Sequence, residues 1–298
     1  MATLKNTTVS GTAAATLPRG TYAQRPSAAN GMMRFNSNTG TAEIYTAANT
    51  SSSRWAASQG HDIVKQNLVL WYDFGDLTSY AQGGATTVTN LARSAHNGSF
   101  QNMTPTFNGG NQGYLVFDGE NDHITISDSV NEFAWTPNGA IGKQNITLEM
   151  WVWSTDTDGV LFTKPWNGSG QYNIWLYPGS WYLTNDSGGA SINFARNLSN
   201  NTWTHIVAWA NSTQMGYYIN GGEYSGSINH GMTTGNVPQY GHGVTAALMT
   251  LYPYGSGMGS IPSHAIAGNL AIVRYYHSVL SAAQAYQNFT AERHRFGV

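Results

Sequence analysis

The sequence predicts an all-β fold, in which short antiparallel strands form a sandwich or a barrel. Two observations support this class. Short segments of alternating apolar and polar residues recur between turns rich in Gly, Asn and Asp along most of the 298 residues. Aromatic residues make up 12% of the chain and charged residues only 9%, so the residues that favour helices are scarce. A chain of this length can bury a sizeable core.

The composition also narrows the cellular setting that we expect. The chain contains no cysteine, so a disulfide framework of the kind found in small secreted domains is excluded. Its first twenty residues lack the apolar segment of a signal peptide, and no apolar run approaches the length of a membrane helix. We therefore expect a soluble protein made in a cytoplasm, without a membrane partner.

Charge is distributed unevenly along the chain. Residues 1–60 contain five basic residues and one acidic residue, whereas the rest contains eight basic and fourteen acidic residues. A basic arm on an acidic body either docks on an acidic protein surface or remains solvated. Nucleic acid is not an expected partner, because the basic residues are scattered and the acidic body would repel phosphate.

The pattern divides the chain into three regions. Residues 1–20 lack periodicity and are predicted to form an extended arm. Residues 21–60 are predicted to form a small β-hairpin module, which needs a partner surface because an isolated hairpin is marginally stable. Residues 61–298 form the body.

Turn signals separate the strands that the body is predicted to contain. Segment 113–126 has an Asp-Gly turn between two alternating runs, which is typical of a hairpin. On segment 145–153 one face is predicted to be core and the other aromatic and partly polar. The predicted strands are 68–74, 99–107, 113–118, 122–127, 145–153, 158–164, 171–177, 180–184, 190–195, 202–210, 214–220, 245–251 and 266–276.

A short helix is predicted at the end of the chain. Ser281 and Gln284 have the spacing of a capping box, and Gly297 follows the last apolar position. Ala285 and Phe289 belong to one apolar stripe. Because an isolated helix of this length is marginal, it should lie on the sandwich.

Exposed aromatic rings are the candidate ligand contacts. Six aromatic residues cluster between 166 and 182, and others flank the long polar stretch 229–264, which is typical of a functional loop. Rings at a subunit interface would give the same pattern, and alternation requires about half of the cluster to be core. The cluster is Trp166, Tyr172, Trp175, Tyr177, Trp181 and Tyr182. The predicted glycan-binding residues are Trp166, Tyr177, Trp181, Tyr240, Tyr252 and Tyr254.

The acidic residues and histidines of the sequence form no complete catalytic or metal-binding motif. A glycosidase needs two carboxylates across the scissile bond, yet the relevant strand offers only Glu149, with Trp151 where a second acid would stand. We therefore interpret Glu149 as a hydrogen-bonded strand residue, and we expect no enzymatic activity and no obligatory cofactor. Calcium is the one plausible metal, with Asp118 and Asp122 as candidate ligands. The same aspartates are better explained as turn formers, and His205 as a core histidine.

Several segments of the body resemble the laminin-G-like, concanavalin A-like jelly roll. Residues 115–124 are LVFDGENDHI, where that family has L-x-F-D-G-x-x-D-Y-[IV]. Residues 146–152 (ITLEMWV), 203–207 (WTHIV) and 218–222 (YINGG) match its later strands, and 68–73 (LVLWYD) its opening strand. The resemblance implies a two-sheet antiparallel jelly-roll sandwich. It does not imply one function, since this fold hosts lectins, glycosidases and adhesins.

The hairpin module resembles segments of tailed-phage virion proteins. Its residues QRPS at 24–27, GMMRFN at 31–36 and TGTAEIY at 39–45 match a pattern found in tail fibres and other particle-attached appendages. The residues that carry this resemblance, and that would anchor the protein, are Arg25, Arg34, Phe35, Tyr45 and Trp55.

This second resemblance implies a phage virion structural protein. Such a protein would be anchored to other virion proteins by its arm, would form a homo-oligomer such as a trimer, and would display the jelly roll. An adhesin for host-surface glycan is the alternative, and a polysaccharide hydrolase is a weaker one.

Overall fold

The computed structural model describes most of the chain, which divides into two compact units, Met1–His61 and Asp62–Val298. The described residues are 17–20, 24, 32–36, 41–46, 54–57, 63–103, 106–129, 131–137, 139, 143–155, 159–165, 172–185, 188–195, 198, 201–232, 245–249 and 265–298.

The first unit contains a four-stranded sheet. Its strands are β1 (Arg19–Gly20), β2 (Met33–Asn36), β3 (Thr41–Thr46) and β4 (Arg54–Ala57). β2 and β3 form the predicted hairpin, with Phe35 opposite Ala42. β1 adds in parallel to β2, and β4 adds antiparallel to β3. The sheet is therefore wider than the two-stranded hairpin that the sequence predicts, because two short flanking segments complete it.

Strand β2 points a charged residue inward and an apolar residue outward. Arg34 is only 4% exposed, whereas the neighbouring Met33 is 47% exposed. Arg34 was predicted to anchor the protein through an outside contact, and this prediction needs correction, because the side chain of Arg34 is buried. Phe35 is half-buried beneath the guanidinium of Arg19, 5.6 Å from the ring centroid.

The other predicted anchoring residues are described unevenly. Tyr45 is half-buried on β3. Trp55 lies in β4, and Arg25 lies outside the described residues.

Among its described residues, the second unit contains sixteen strands in two antiparallel sheets. We call the sheet ordered β15-β14-β13-β12-β19-β10-β7-β6 the front sheet, and the sheet ordered β18-β17-β16-β11-β20-β9-β8, in which β5 also pairs with β20, the back sheet. The strands are β5 (Leu68–Asp73), β6 (Thr87–Val88), β7 (Gly98–Gln101), β8 (Thr106–Asn108), β9 (Tyr114–Asp118), β10 (His123–Ser127), β11 (Ile146–Ser154), β12 (Phe162–Pro165), β13 (Tyr172–Leu176), β14 (Ser180–Asn185), β15 (Gly188–Asn193), β16 (Thr204–Ala210), β17 (Gln214–Ile219), β18 (Tyr224–Asn229), β19 (Thr245–Leu248) and β20 (Ala267–Tyr276).

The main core lies between the two sheets. Leu148 and Met150 of β11 face it from the back sheet, and Ile174 and Leu183 face it from the front sheet, all fully buried. Burial of each such side chain contributes about 1.5–3 kcal/mol. The predicted two-sheet jelly-roll sandwich is confirmed.

The segment predicted as a hairpin is a crossover between the sheets. β9 pairs with β8 and β20 in the back sheet, whereas β10 pairs with β7 and β19 in the front sheet. The Oδ1 of Asp118 accepts the N–H of Glu120 at 2.8 Å, and Gly119 has φ of 81°. A Cβ on Gly119 would lie 2.9 Å from the Cβ of Ala267, so the corner requires glycine. The hairpin interpretation is wrong, because local turn chemistry does not specify which sheet accepts the next strand.

Two further strand predictions need correction. The predicted strand 99–107 is two strands in different sheets, β7 and β8, because the chain bends at Asn102, which has φ of 59°. Strand β18 was not predicted, since its sequence YSGSIN has little apolar alternation. It forms through pairing with β17 along its whole length.

Helix α1 (Ala282–Phe296) packs on the outward face of the back sheet. The predicted capping box is present: the Ser281 side chain accepts the Gln284 N–H, and the Gln284 side chain accepts the Ser281 N–H. Gly297 ends the helix in a left-handed conformation. Within the described ranges, no helix is both long and apolar enough to cross a membrane.

Candidate functional site

Three aromatic side chains contact one another on the outward face of the front sheet, and we call Trp175, Tyr177 and Tyr182 the aromatic patch. The ring centroids of Trp175 and Tyr182 lie 5.8 Å apart, and Tyr177 meets Tyr182 edge-on at 5.7 Å. All three side chains are half-buried. The patch therefore offers ring surface to solvent while its members hold one another in place.

Strand alternation places the patch on this face. On β13, Ile174 and Leu176 fill the core, so Trp175 between them points outward. On β14, Trp181 fills the core and Tyr182 points outward. The register pairs Trp175 with Tyr182, which brings the two rings together.

The patch belongs to a row of paired residues that crosses all eight strands of the front sheet. Directly paired residues share one face of a sheet, so the whole row faces away from the core. Trp175 and Tyr182 provide its rings, and hydroxyl side chains provide most of the rest. The row is Thr87, Ser99, Thr125, Ala247, Thr163, Trp175, Tyr182 and Ser191. It contains no charged residue.

A small apolar cluster supports the patch from below. Val160 is fully buried against Trp175 and Tyr177, separately from the main core. The backbone N–H of Tyr177 also donates to the carbonyl of Ser180 at 2.9 Å, which closes the turn between β13 and β14. These contacts fix the positions of the rings before any ligand arrives.

The structure separates the six predicted glycan-binding residues. Tyr177 lies in the aromatic patch. Trp181 is fully buried between the sheets, so its prediction as a ligand platform is wrong, because β14 turns this ring toward the core. The other four lie outside the described residues: Trp166, Tyr240, Tyr252 and Tyr254. Trp175 and Tyr182 were missing from the predicted set, although alternation against Ile174 and Leu183 carries the signal for both.

The candidate calcium ligands form a turn. The Oδ1 of Asp118 accepts two backbone N–H groups, and the Oδ2 of Asp122 accepts the N–H of Asp118 at 3.4 Å. Burial raises the pKa of the Asp122 carboxyl, and the charge of Asp118 raises it further. Two carboxylates supply too few oxygens for calcium. The described part of the chain holds no group of three or more His, Cys, Asp or Glu residues placed to bind a metal.

A buried ionic cluster lies between helix α1 and the back sheet, and it contains Glu149. Arg274 of β20 donates to Glu149 at 2.9 Å and to both carboxylate oxygens of Glu292 on the helix. His205 lies 2.9 Å from the Oε1 of Glu149, and Asn288 donates to its Oε2 at 2.6 Å. All five residues are at most 7% exposed. The cluster therefore fastens the helix to the sheet.

Neighbouring charges and hydrogen bonds determine the protonation state of Glu149. Burial alone would raise its pKa, but Arg274, His205 and Asn288 together lower the pKa of Glu149 to about 2. Burial would lower the pKa of Arg274, yet Glu292 and Glu149 raise it above its usual value. The Glu149 carboxylate is therefore ionised, and both carboxylates accept hydrogen bonds from Arg274. His205 is a hydrogen-bonded core histidine, as the sequence predicted.

The geometry defines a lectin-like β-sandwich, with two antiparallel sheets and an aromatic patch on an outward face. The chain belongs to the concanavalin A-like lectin/glucanases superfamily, since the family model of the laminin-G type matches residues 121–285, more than half of the chain. No curated protein matches the sequence significantly.

Solved structures share the fold at low sequence identity. The binding domain of botulinum neurotoxin DC, solved in complex with SialylT, has a TM-score of 0.53 and 13% identity. The match covers 76% of this chain and 51% of that one. The receptor-binding domain of the botulinum neurotoxin C/D mosaic serotype has a TM-score of 0.51 and 12% identity, with the same coverage. The chain thus spans about half the length of these structures, and the likeness concerns the fold alone.

Proposed function

We propose that the second unit is a carbohydrate-binding module whose ligand lies on the aromatic patch. The observation that carries this proposal is the arrangement of Trp175, Tyr177 and Tyr182 as half-buried, mutually supported rings on an outward sheet face. The apolar C–H face of a pyranose packs on such rings, and its hydroxyls bond to nearby polar groups. Superfamily membership supports the same class.

The surroundings of the patch favour a neutral sugar. Along its row, the exposed Ser191 lies beside Tyr182, whereas Thr163 beside Trp175 is fully buried, and none of the row's eight residues carries a charge. Hydroxyls donate and accept hydrogen bonds without attracting either sign of charge. The preferred ligand is therefore a neutral host-surface glycan, and the protein is its adhesin.

Replacing Trp175 with alanine is expected to weaken binding to a neutral glycan by about tenfold or more, which corresponds to about 1.4 kcal/mol. The loss follows from removal of ring surface at the centre of the patch, and Tyr182→Ala should act in the same direction. A glycan array screened with the full chain would identify the ligand, and titration calorimetry would give the affinities.

Tyr286→Ala is the matched control for this experiment. Tyr286 is also an exposed aromatic residue, but it lies on α1, which covers the back sheet. Its replacement should leave neutral-glycan binding unchanged. Equal binding by the wild-type protein and a correctly folded Trp175→Ala variant would exclude the patch as the site.

Catalytic hydrolysis receives less support from the geometry. Glu149 and Glu292 are both held by Arg274 beneath the helix, where neither reaches a sugar on the front sheet. A glycosidase needs both of its carboxylates at the scissile bond. We therefore propose binding without hydrolysis.

We propose as a second function that the first unit attaches the protein to a phage particle. Its support is the resemblance of residues 24–55 to virion modules, together with the outward apolar Met33 on β2, which is 47% exposed. Methionine is enriched at protein–protein interfaces, so the exposed Met33 side chain is the residue that we expect to contact the particle. Localisation in the virion, contacts with other virion proteins and assembly as a homo-oligomer all belong to this proposal.

Replacing Met33 with aspartate is expected to reduce incorporation into particles by about tenfold, because it places a charge in an apolar contact. Deletion of residues 1–57 should abolish incorporation. Leu77→Asp is the matched control, since Leu77 is an exposed apolar residue of the second unit, 38% exposed. Quantitative immunoblotting of purified particles measures each variant. Particles that retain the truncated protein at wild-type level would contradict the proposal.

A further inference from the structure

A groove separate from the aromatic patch lies between helix α1 and the turn that follows β17. Its volume is about 460 Å³, within the usual range for small-ligand sites of about 300–1,000 Å³. Asn220 and Glu223 contribute from the turn, and Tyr286, Phe289 and Arg293 contribute from the helix. The helix covers the back sheet, so this groove and the patch on the front sheet are separate surfaces.

Close packing at Gly221 gives the groove a rigid floor. Gly221 has φ of 70°, and a Cβ at this position would lie 2.6 Å from the Phe289 ring. Glycine therefore lets the turn approach the helix, and Phe289 is only 6% exposed. The adjacent Asn220 accepts the backbone N–H of His205 at 3.0 Å, which ties the turn to the back sheet. These contacts hold the turn against the helix and the back sheet.

The groove places an oriented cation beside an exposed ring. The guanidinium of Arg293 lies 5.1 Å from the centroid of Phe289, and its Nε donates to the Val298 carbonyl at 2.6 Å. These contacts hold the plane of the guanidinium, while its two terminal amino groups have no partner among the described residues. Tyr286 is 55% exposed beside it, with ring centroids of Tyr286 and Phe289 6.4 Å apart.

The other side of the groove supplies hydrogen-bond acceptors and a donor. Glu223 is exposed, and within the described residues its carboxylate meets only the Asn220 amide, at 3.4 Å. A carboxylate and an amide bind hydroxyl groups well. The carboxylate of Glu223 repels a ligand with several negative charges. The groove is therefore suited to a ligand that carries one acidic group and several hydroxyl groups.

We infer that this groove binds an acidic sugar residue, with its carboxylate on Arg293, its ring against Tyr286 and its hydroxyls on Glu223 and Asn220. The planar guanidinium of Arg293 can donate two parallel hydrogen bonds to the two oxygens of one carboxylate. An exposed tyrosine is a suitable platform for the apolar face of a pyranose. The inference does not rest on the proposed binding of a neutral glycan by the aromatic patch, because it concerns other residues on another face.

Methyl β-glucuronide and methyl β-glucoside test this site directly, since they differ in a single carboxylate. NMR titration of the full chain should give at least about tenfold tighter binding of the glucuronide, and sodium acetate alone should bind far more weakly. Added salt should reduce the preference, because it screens the exposed ion pair. Equal affinity for the two glycosides, or no binding of the glucuronide, would overturn the inference.

Variants assign the binding to this groove. Arg293→Ala should remove the preference for the glucuronide, Arg293→Lys should retain part of it, and Tyr286→Ala should weaken binding of the glucuronide. Trp175→Ala should leave glucuronide binding unchanged, which separates the groove from the aromatic patch. Glucuronide binding that survives Arg293→Ala, or that is lost in Trp175→Ala, would place the acidic ligand elsewhere and overturn the inference.

Discussion

Replacing Arg274 with methionine is expected to lower the free energy of unfolding by about 3–5 kcal/mol. Arg274 is fully buried and is the partner of both Glu149 and Glu292. Without it, two carboxylates would stand in the interior with too little compensating charge. Chemical denaturation followed by tryptophan fluorescence measures the loss.

Arg293→Met is the matched control, because Arg293 is an exposed arginine on the helix that packs over Arg274. Its effect on stability should stay below about 1 kcal/mol. The double variant Arg274→Met, Glu292→Gln should recover part of the loss, since one of the two orphaned charges is gone. An Arg274→Met protein as stable as the wild type would contradict a charge-compensated cluster.

The acid dependence of stability gives the cluster a second signature. The pKa of Glu149 is about 2 in the folded protein, below its ordinary value of 4.5. Its stabilising contribution is therefore complete above pH 4.5 and is lost as the pH falls toward 2. In Arg274→Met, burial becomes the dominant influence on the same carboxyl, so acidification should instead relieve part of the destabilisation.

Replacing Trp151 with alanine is expected to cost about 3–5 kcal/mol of stability through the cavity that it leaves. The indole is fully buried and stacks on Phe296 at 4.2 Å and on Phe289 at 5.7 Å. Its Nε1 donates to Glu292 at 3.0 Å, so the substitution also removes one hydrogen bond of the ionic cluster. Thermal unfolding by circular dichroism would report the change.

The variant Trp151→Phe separates the contribution of ring packing to stability from that of the indole N–H group. Phenylalanine keeps much of the stacking but cannot donate to Glu292, so the cost should fall to about 1–2 kcal/mol. Similar losses for the alanine and phenylalanine variants would assign the effect to the hydrogen bond rather than to packing. A small loss in both would mean that helix α1 contributes little to the stability of the fold.

Local sequence patterns were sufficient to predict the features that depend on residues close together in the chain. The all-β class, the alternation of β11 and the capping box of Ser281 and Gln284 all depend on residues within a few positions. The motifs around Phe117 and Trp151 also identified the jelly roll. Glu149 was correctly interpreted as a hydrogen-bonded strand residue, because its strand offered no second acid.

Long-range pairing decided the features that the sequence could not provide. The turn after Asp118 is compatible with a hairpin and with a crossover, and only the partners of β9 and β10 show that it is a crossover. The partners of Glu149 lie between 56 and 139 residues away in the sequence. At such separations no sequence pattern predicts the ionic cluster. Trp181 is fully buried in the core and the adjacent Tyr182 is half-buried on the outward face, a difference that the packing of the two sheets decides.

The sequence by itself thus determined the fold class, the helix and the aromatic character of the candidate site. The tertiary structure alone decided which rings face outward, which charges neutralise one another and where the helix forms a groove with Gly221. The physical reason is that hydrophobic alternation and capping act over a few residues. Sheet order, burial and ion pairing join residues that are far apart in the chain.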